Sequence, residues 1–324
     1  MAQIIEKPIL SICIPIYNRL SYLERMLERF YEEKELFDSK IELFISDNCS
    51  EDDLQSCCNR FSKMGLRLKY HRNDTNLGMD GNFINCFNSA EGDYVWLLGS
   101  DDIPKKGYIE KIYDIILNSH KRYGVLHLAG ENPKQNEPLF EFEDCNGLLE
   151  ELNVWITFIS GIVVNKDFVN DVDFDKYRGT LISQVPLYIK AIISSPVNAV
   201  LYAKVFEEMD DSANNGGYNI FQVFVANLYC IYQSFFDNGL VKKNSIDIIK
   251  EREFKEFLLE YVVNFLILHK KSNFETKNAW RILAKYYRTK PYAYYCPIKR
   301  LLGLFLRWAR SKMCEKDLSR QLFS

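Results

Sequence analysis

The chain opens on an apolar, β-branched run. Ile9 to Ile16 (Ile-Leu-Ser-Ile-Cys-Ile-Pro-Ile) predicts a buried strand. Tyr22, Leu23, Met26, Leu27 and Phe30 then recur at helical spacing between charges. This predicts an amphipathic helix with Ser21 as N-cap and Glu24 completing a capping box. The alternation continues with a strand over 41–46, a helix over 54–64 and a strand over 66–71. A polar turn from Asn73 to Gly81 follows, then a helix over 82–90, a strand over 93–98, a helix over 109–119 and a strand over 124–128. The rhythm predicts an α/β protein with a Rossmann-like, mostly parallel central sheet flanked by helices. Functional residues of such sheets gather beyond the carboxyl ends of strands. Three polar clusters fall there: Tyr17-Asn18-Arg19, Asp47-Asn48 and Asp101-Asp102.

Beyond residue 130 the pattern is less regular, with a strand-like stretch over 158–164 and a helical one over 185–193. From about 206 the chain reads as helical, which predicts an α/β domain over 1–205 and a C-terminal helical appendage over 206–324. Tyr218 to Phe236 holds no charged residue for 19 positions, the length of a membrane span. Asn219, Gln222, Asn227, Gln233 and Ser234 punctuate it at roughly helical spacing, so a buried amphipathic helix is the expected reading.

Of the 324 residues, 47% are apolar and 26% charged, the balance of a globular protein with ample core. The net charge of −3 argues against a nucleic-acid partner. That average hides an asymmetry: Lys277 to Lys312 carries ten Lys or Arg and no acid. Within it, Ile298, Leu301, Leu302, Phe305, Leu306 and Ala309 form an apolar stripe flanked by Lys299, Arg300, Arg307 and Arg310, with Trp308 at its edge. This predicts a helix lying on an anionic membrane surface. Nine cysteines show no metal-knuckle or Cys-x-x-Cys spacing, and Met1 to Pro8 shows no targeting signal. A reducing cytoplasm is the expected compartment, with the chain peripheral on the inner face of the cytoplasmic membrane.

Gly99-Ser100-Asp101-Asp102 ends an apolar strand abruptly. Adjacent carboxylates repel unless a cation or donors offset them. Mg²⁺ or Mn²⁺ takes oxygen ligands and binds substrate phosphates, so the pair predicts a metal–diphosphate bridge. The alternative is a simple cap of the following turn.

The order of motifs adds to this. Ile12-Cys-Ile-Pro-Ile-Tyr-Asn-Arg, Ile45-Ser-Asp-Asn-Cys-Ser, Asn76-Leu-Gly and Glu91-Gly-Asp-Tyr-Val-Trp-Leu-Leu-Gly-Ser-Asp-Asp occur in succession. The chain thereby resembles the family 2 glycosyltransferases, and within them the abequosyltransferase-like O-antigen branch. The resemblance covers residues 9 to about 205, most strongly to 115. It implies a GT-A fold with a nucleotide-sugar-binding half over 1–115 and an acceptor half over 116–205. The implied function is metal-dependent transfer of a sugar, hexosyl or deoxyhexosyl, from a nucleoside diphosphate to a saccharide or polyprenyl-diphosphate-linked acceptor.

The resemblance also assigns residues. Pro15, Ile16 and Tyr17 match the first-strand end beside the nucleotide base, and Asn18 and Arg19 follow in the same donor-binding loop. Asp47 and Asn48 match the acidic pair that bonds the pyrimidine; Asn at the second place leaves UDP, CDP and dTDP open. Asn76, Gly78, Asp80 and Ser100 line the donor pocket. Asp101 is the metal ligand, Gly99 replaces the first Asp of the Asp-x-Asp motif, and Asp102 is an adjacent or substitute ligand. Gln184 falls where the family carries its general base and cannot accept a proton near neutral pH, so Asp173 or Asp175 is the candidate substitute, the alternative being that both are surface turn acids. Ser160-Gly161 and Trp155 fall on the acceptor side, and His127 reads as a packed histidine. Gly99 and Gln184 keep alive a second reading, a catalytically weak nucleotide-sugar-binding scaffold. A nucleotidyltransferase would need an N-terminal Gly-rich phosphate loop, which this sequence lacks.

Overall fold

The computed structural model describes residues 7–38, 40–131, 138–170, 172–208 and 217–322, with residues 309–322 described by backbone alone. The chain divides into two compact units, Met1–Ser212 with Gln233–Ser245, and Ala213–Tyr232 with Ile246–Ser324.

The first unit is a mixed sheet clad by helices. Its strands are β1 (Leu10–Ile16), β2 (Ile41–Asp47), β3 (Lys69–Arg72), β4 (Tyr94–Leu97), β5 (Val125–Ala129), β6 (Leu139–Phe142), β7 (Ile162–Asn165) and β8 (Asn198–Tyr202). They lie in the order β3-β2-β1-β4-β7-β5-β8-β6. The β3-β2-β1-β4 block is parallel throughout. β1 and β2 are covered on both faces and read as continuous apolar runs, as central parallel strands do. β7 pairs antiparallel with both β4 and β5. That wedge brings the turn before β7, with Ser160 and Gly161, against the end of β4.

The helices are α1 (Leu20–Tyr31), α2 (Leu54–Lys63), α3 (Gly78–Ser89), α4 (Tyr108–Asn118), α5 (Cys145–Leu152) and α6 (Val185–Ser194). Leu23, Met26, Leu27 and Phe30 of α1 are buried in the core, the stripe the spacing predicts. Ser21 does not cap α1. The helix begins at Leu20, whose N–H donates to Asp52 Oδ2 (3.0 Å), and Glu24 pairs with Arg60 instead. A carboxylate 32 residues away does the work expected of the local box. Helix α3 starts four residues before the expected Asn82, and the turn over 159–161 is a 3₁₀ segment rather than strand. β3 is shorter than the expected strand and lies at the sheet edge with its side chains mostly exposed.

The second unit is helical. It takes parts of α7 (Leu228–Asp237) and α8 (Lys243–Glu253), then α9 (Leu259–Tyr261), α10 (Ala279–Tyr287) and α11 (Tyr292–Leu322). Gln222–Asn227, Phe254–Leu258 and Val262–Ile267 are π-helical. Among the described residues no helix is long and apolar enough to cross a membrane. Glu253 is fully buried beside Tyr229 and Tyr287, whose hydroxyls lie 2.5 Å apart. Burial raises its carboxyl to about 8, against the opposing pull of the Tyr229 hydroxyl and Lys250. The folded state thus holds a proton that the unfolded chain releases above about 4.5. The stabilisation is complete below that value and is lost as pH rises toward about 8, at about 1.4 kcal/mol per pH unit. Glu253→Gln is expected to flatten this slope, read by urea unfolding between pH 5 and pH 8.5.

Candidate functional site

The carboxyl ends of β1, β2 and β4 open on a cleft of about 480 Å³. Clefts of similar size elsewhere on the unit lie away from these strand ends, so position rather than volume singles this one out. Pro15, Tyr17, Arg19, Asn48, Asn76, Gly78, Ser100 and Asp101 line it together. Asn18, Asp47, Asp80, Asp102, Asp175 and Gln184 are not among its lining residues.

Each lining group is held from behind. Asn18 sits at φ +50°, a left-handed turn that Asn tolerates. Its N–H donates to Ser50 Oγ (3.0 Å), and its Oδ1 accepts from the Glu51 N–H (2.7 Å). These bonds staple the loop after β1 to the loop after β2 and so fix the backbone of Tyr17 and Arg19. Tyr17 is 43% exposed and offers a free ring face.

Asp47 is fully buried and turned into the protein. Tyr70 Oη donates to its Oδ2 (2.6 Å), Arg72 Nη1 donates to the same oxygen (3.1 Å), and the Ser50 N–H donates to Oδ1 (2.8 Å). Burial pushes its carboxyl up, and these bonds outweigh that and hold it below the ordinary Asp range. Asn48 is also committed. Its Oδ1 accepts from Leu77 N–H (2.8 Å) and Asn73 Nδ2 (3.2 Å), while its Nδ2 donates to Asn76 Oδ1 (2.8 Å) and the Gly78 carbonyl (3.1 Å). Both oxygen lone pairs and both N–H groups are used inside the chain. Of the pair, Asn48 lines the cleft and Asp47 lies buried behind it.

Beside Asn48 lies an amide network the sequence reading did not find. Asn82 exchanges bonds with Ser46: Oδ1 accepts from Ser46 Oγ (2.7 Å) and Nδ2 donates to the Ser46 carbonyl (3.0 Å). Asn85 Nδ2 donates to Ser46 Oγ and to Asn73 Oδ1 (both 3.0 Å). The available signal was Asn82 and Asn85 at i, i+3, one face of a helix beside an apolar strand.

The acidic turn after β4 is tight, with Asp102 N–H donating to the Gly99 carbonyl (3.0 Å). Asp101 Oδ2 lies 3.0 Å from Arg19 Nη1, which also reaches Ser100 Oγ (3.4 Å). Ser160 accepts from the Gly99 N–H (2.8 Å) and donates to Asp102 Oδ2 (2.6 Å). A Cβ on Gly99 would stand 2.8 Å from Asp102 Oδ2, 3.1 Å from Asp101 Oδ1 and 3.3 Å from Ser160 Oγ. Three oxygens thus converge over a bare Cα. Among the described residues no three His, Cys, Asp or Glu side chains come together so as to hold a metal ion. A cleft-lining carboxylate, Asp101, with a second one beside it suits Mg²⁺ or Mn²⁺, which completes its oxygen shell with water and substrate phosphate.

On the other side, Asp80 is turned toward the backbone of the 181–183 turn. Its Oδ2 accepts from Leu181 N–H (2.9 Å) and its Oδ1 from Ser183 N–H (3.1 Å). It holds the strained turn at Leu181 (φ +62°) that leads into Gln184. Gln184 is 2% exposed; its Nε2 donates to the Thr157 carbonyl (2.9 Å), and its Oε1 is buried without a hydrogen-bond partner among the described residues. Asp175 is strongly exposed and pairs with Arg178 (2.6 Å). Trp155 stands 58% exposed. His127 is buried, and its Nδ1 donates to the Gly161 carbonyl (2.9 Å). Burial pushes it down to about 4, so it is a neutral packed imidazole.

Residues 11–152 match the family model described as Glycosyl transferase family 2. Abequosyltransferase RfbV of Salmonella typhimurium is 32% identical over 194 residues, covering 53% of this chain and 57% of that protein. The GalNAc(5)-diNAcBac-PP-undecaprenol beta-1,3-glucosyltransferase of Campylobacter jejuni is 22% identical over 273 residues, 78% of this chain and 80% of that one. The crystal structure of S. aureus TarS 1–349 with UDP-GlcNAc shares the fold, with a TM-score of 0.62 at 18% identity over 90% of this chain and 88% of that one. The match thus spans little more than half the length of the abequosyltransferase. The motif order and the matched segment make residues 11–152 similar to the family 2 glycosyltransferases, and the sheet has the GT-A fold.

Proposed function

We propose that this chain transfers a sugar from a nucleoside diphosphate to a saccharide or polyprenyl-diphosphate-linked saccharide during bacterial surface polysaccharide synthesis. The observation that carries the reading is the meeting of Tyr17, Arg19 and Asp101 in one cleft. The Tyr17 ring offers a stacking face for a pyrimidine, and Asn76 and Gly78 bound the same pocket. Arg19 supplies positive charge where a diphosphate would lie. Asp101, with Asp102 beside it, would hold Mn²⁺ or Mg²⁺, and that ion neutralises charge on the departing diphosphate. The first half of the domain, 1–115, would hold the donor and 116–205 the acceptor, with Asp80 bridging the two.

The Campylobacter relative's name, which specifies an undecaprenol-linked substrate, supports a lipid-linked acceptor here. So does α11, where Ile298, Leu302, Phe305, Leu306 and Trp308 are exposed together beside Lys299 and Arg307. Such a helix suits the anionic inner face of the cytoplasmic membrane. The scaffold reading keeps one observation in its favour, the buried amide of Gln184 at the place of the base.

Thermal stabilisation by UDP-, CDP-, GDP- and dTDP-sugars, with and without Mn²⁺, tests the donor reading. A pyrimidine diphosphate sugar is expected to raise Tm only with metal. No shift with any donor would overturn the proposal, and binding with neither hydrolysis nor transfer would favour the scaffold. Co-sedimentation with vesicles containing anionic lipid, lost in a chain ending before α11, tests the membrane placement.

A further inference from the structure

We infer that Arg19 is a resident cation that occupies Asp101 until a nucleoside diphosphate draws it away, so that divalent metal and nucleotide bind cooperatively. The inference rests on the donor and metal reading above and concerns how that site is regulated.

Arg19 Nη1 sits 3.0 Å from Asp101 Oδ2 and 3.4 Å from Ser100 Oγ, with its guanidinium 5.4 Å from the Tyr22 ring. A guanidinium this close to the carboxylate opposes a second cation on it by like-charge repulsion. Its hold is weak. The two side chains are 38% and 31% exposed, and a pair so wetted is worth up to about fivefold in an equilibrium constant. The backbone of the loop, by contrast, is fixed by the bonds from Asn18 and Leu20 to the 50–52 loop. Only the side chain is free to change partner.

A diphosphate entering the cleft offers Arg19 a better one. It carries more charge than one carboxylate and presents paired oxygens that match the planar guanidinium fork. Once Arg19 turns to the diphosphate, Asp101 is free for the metal, and the metal's own attraction for the phosphates completes the exchange. Each ligand thereby removes the obstacle to the other, and the coupling is reciprocal. Asp102 is held by Ser160, whose hydroxyl donates to its Oδ2 (2.6 Å).

The test is Mn²⁺ titration of the full chain, read by the electron paramagnetic resonance signal of free Mn²⁺, alone and with saturating UDP or CDP. Arg19→Gln is expected to bind Mn²⁺ about three- to fivefold more tightly than wild type without nucleotide. Nucleotide is expected to tighten Mn²⁺ binding at least about tenfold in wild type and about twofold in Arg19→Gln. Arg19→Lys keeps the point charge without the fork, so it should match wild type without nucleotide and show weakened coupling with it. Melting curves check that both variants fold. If Arg19→Gln leaves Mn²⁺ affinity unchanged while Asp101→Asn removes it, the metal site stands and the role of Arg19 falls. If wild type binds no Mn²⁺ with either nucleotide, the functional reading falls with it.

Discussion

Asp101→Asn is expected to lower kcat/KM for sugar transfer by about 10³-fold or more, with little change in Tm measured without metal. The carboxamide has the same shape and loses only the charge. In the folded chain that charge pairs with one half-exposed arginine, an interaction that contributes little to stability. In the reaction it would anchor the ion that neutralises the leaving diphosphate, a contribution of several kcal/mol, and each 1.4 kcal/mol is about tenfold in rate. Steady-state transfer assays with Mn²⁺ held in excess measure the effect. A loss smaller than about tenfold would remove Asp101 from the role given to it.

Gly99→Asp is expected to reduce transfer by about 10²-fold, although it restores the residue that the family's motif carries. The new Cβ would stand 2.8 Å from Asp102 Oδ2, closer than real Cβ contacts. A third carboxylate would also join two like charges in a small space. The Ser160 hydroxyl, 3.3 Å from the same point, would lose its place between Gly99 and Asp102. Gly99→Ala separates the terms: it keeps the steric conflict without the charge and is expected to cost about tenfold, with a stability loss of about 1–3 kcal/mol. Transfer assays and Mn²⁺ binding on both variants measure this. A gain in activity from Gly99→Asp would mean that the glycine is a damaged motif rather than an adapted one.

The sequence made the parallel half of the sheet legible because β1, β2 and β4 are buried, nearly continuous apolar runs whose period needs no partner to interpret. The same strands placed Tyr17, Arg19, Asn48 and Asp101 at one edge, since parallel strands end together. What was not legible depends on pairing across distance. Nothing local marks β7 as an antiparallel wedge between β4 and β5. The packing around Asp47 was not legible, because two of its three donors, Tyr70 and Arg72, become neighbours only when β2 and β3 pair, while Ser50 follows in the same loop. The Ser46, Asn73, Asn82 and Asn85 network spans up to 39 residues and carries no charge to announce it. Gln184 was placed by motif position alone; its burial follows from the turn that Asp80 holds from 101 residues away.

The Ser160 bridge has a consequence for recombination between relatives. Its hydroxyl is set by the turn leading into β7, yet both of its bonds land on the acidic turn after β4. A crossover between the two stretches would inherit its acidic turn from one parent and its brace from the other. Exchange of acceptor preference by swapping segments should therefore succeed only where the incoming parent also brings a small hydroxyl residue to position 160.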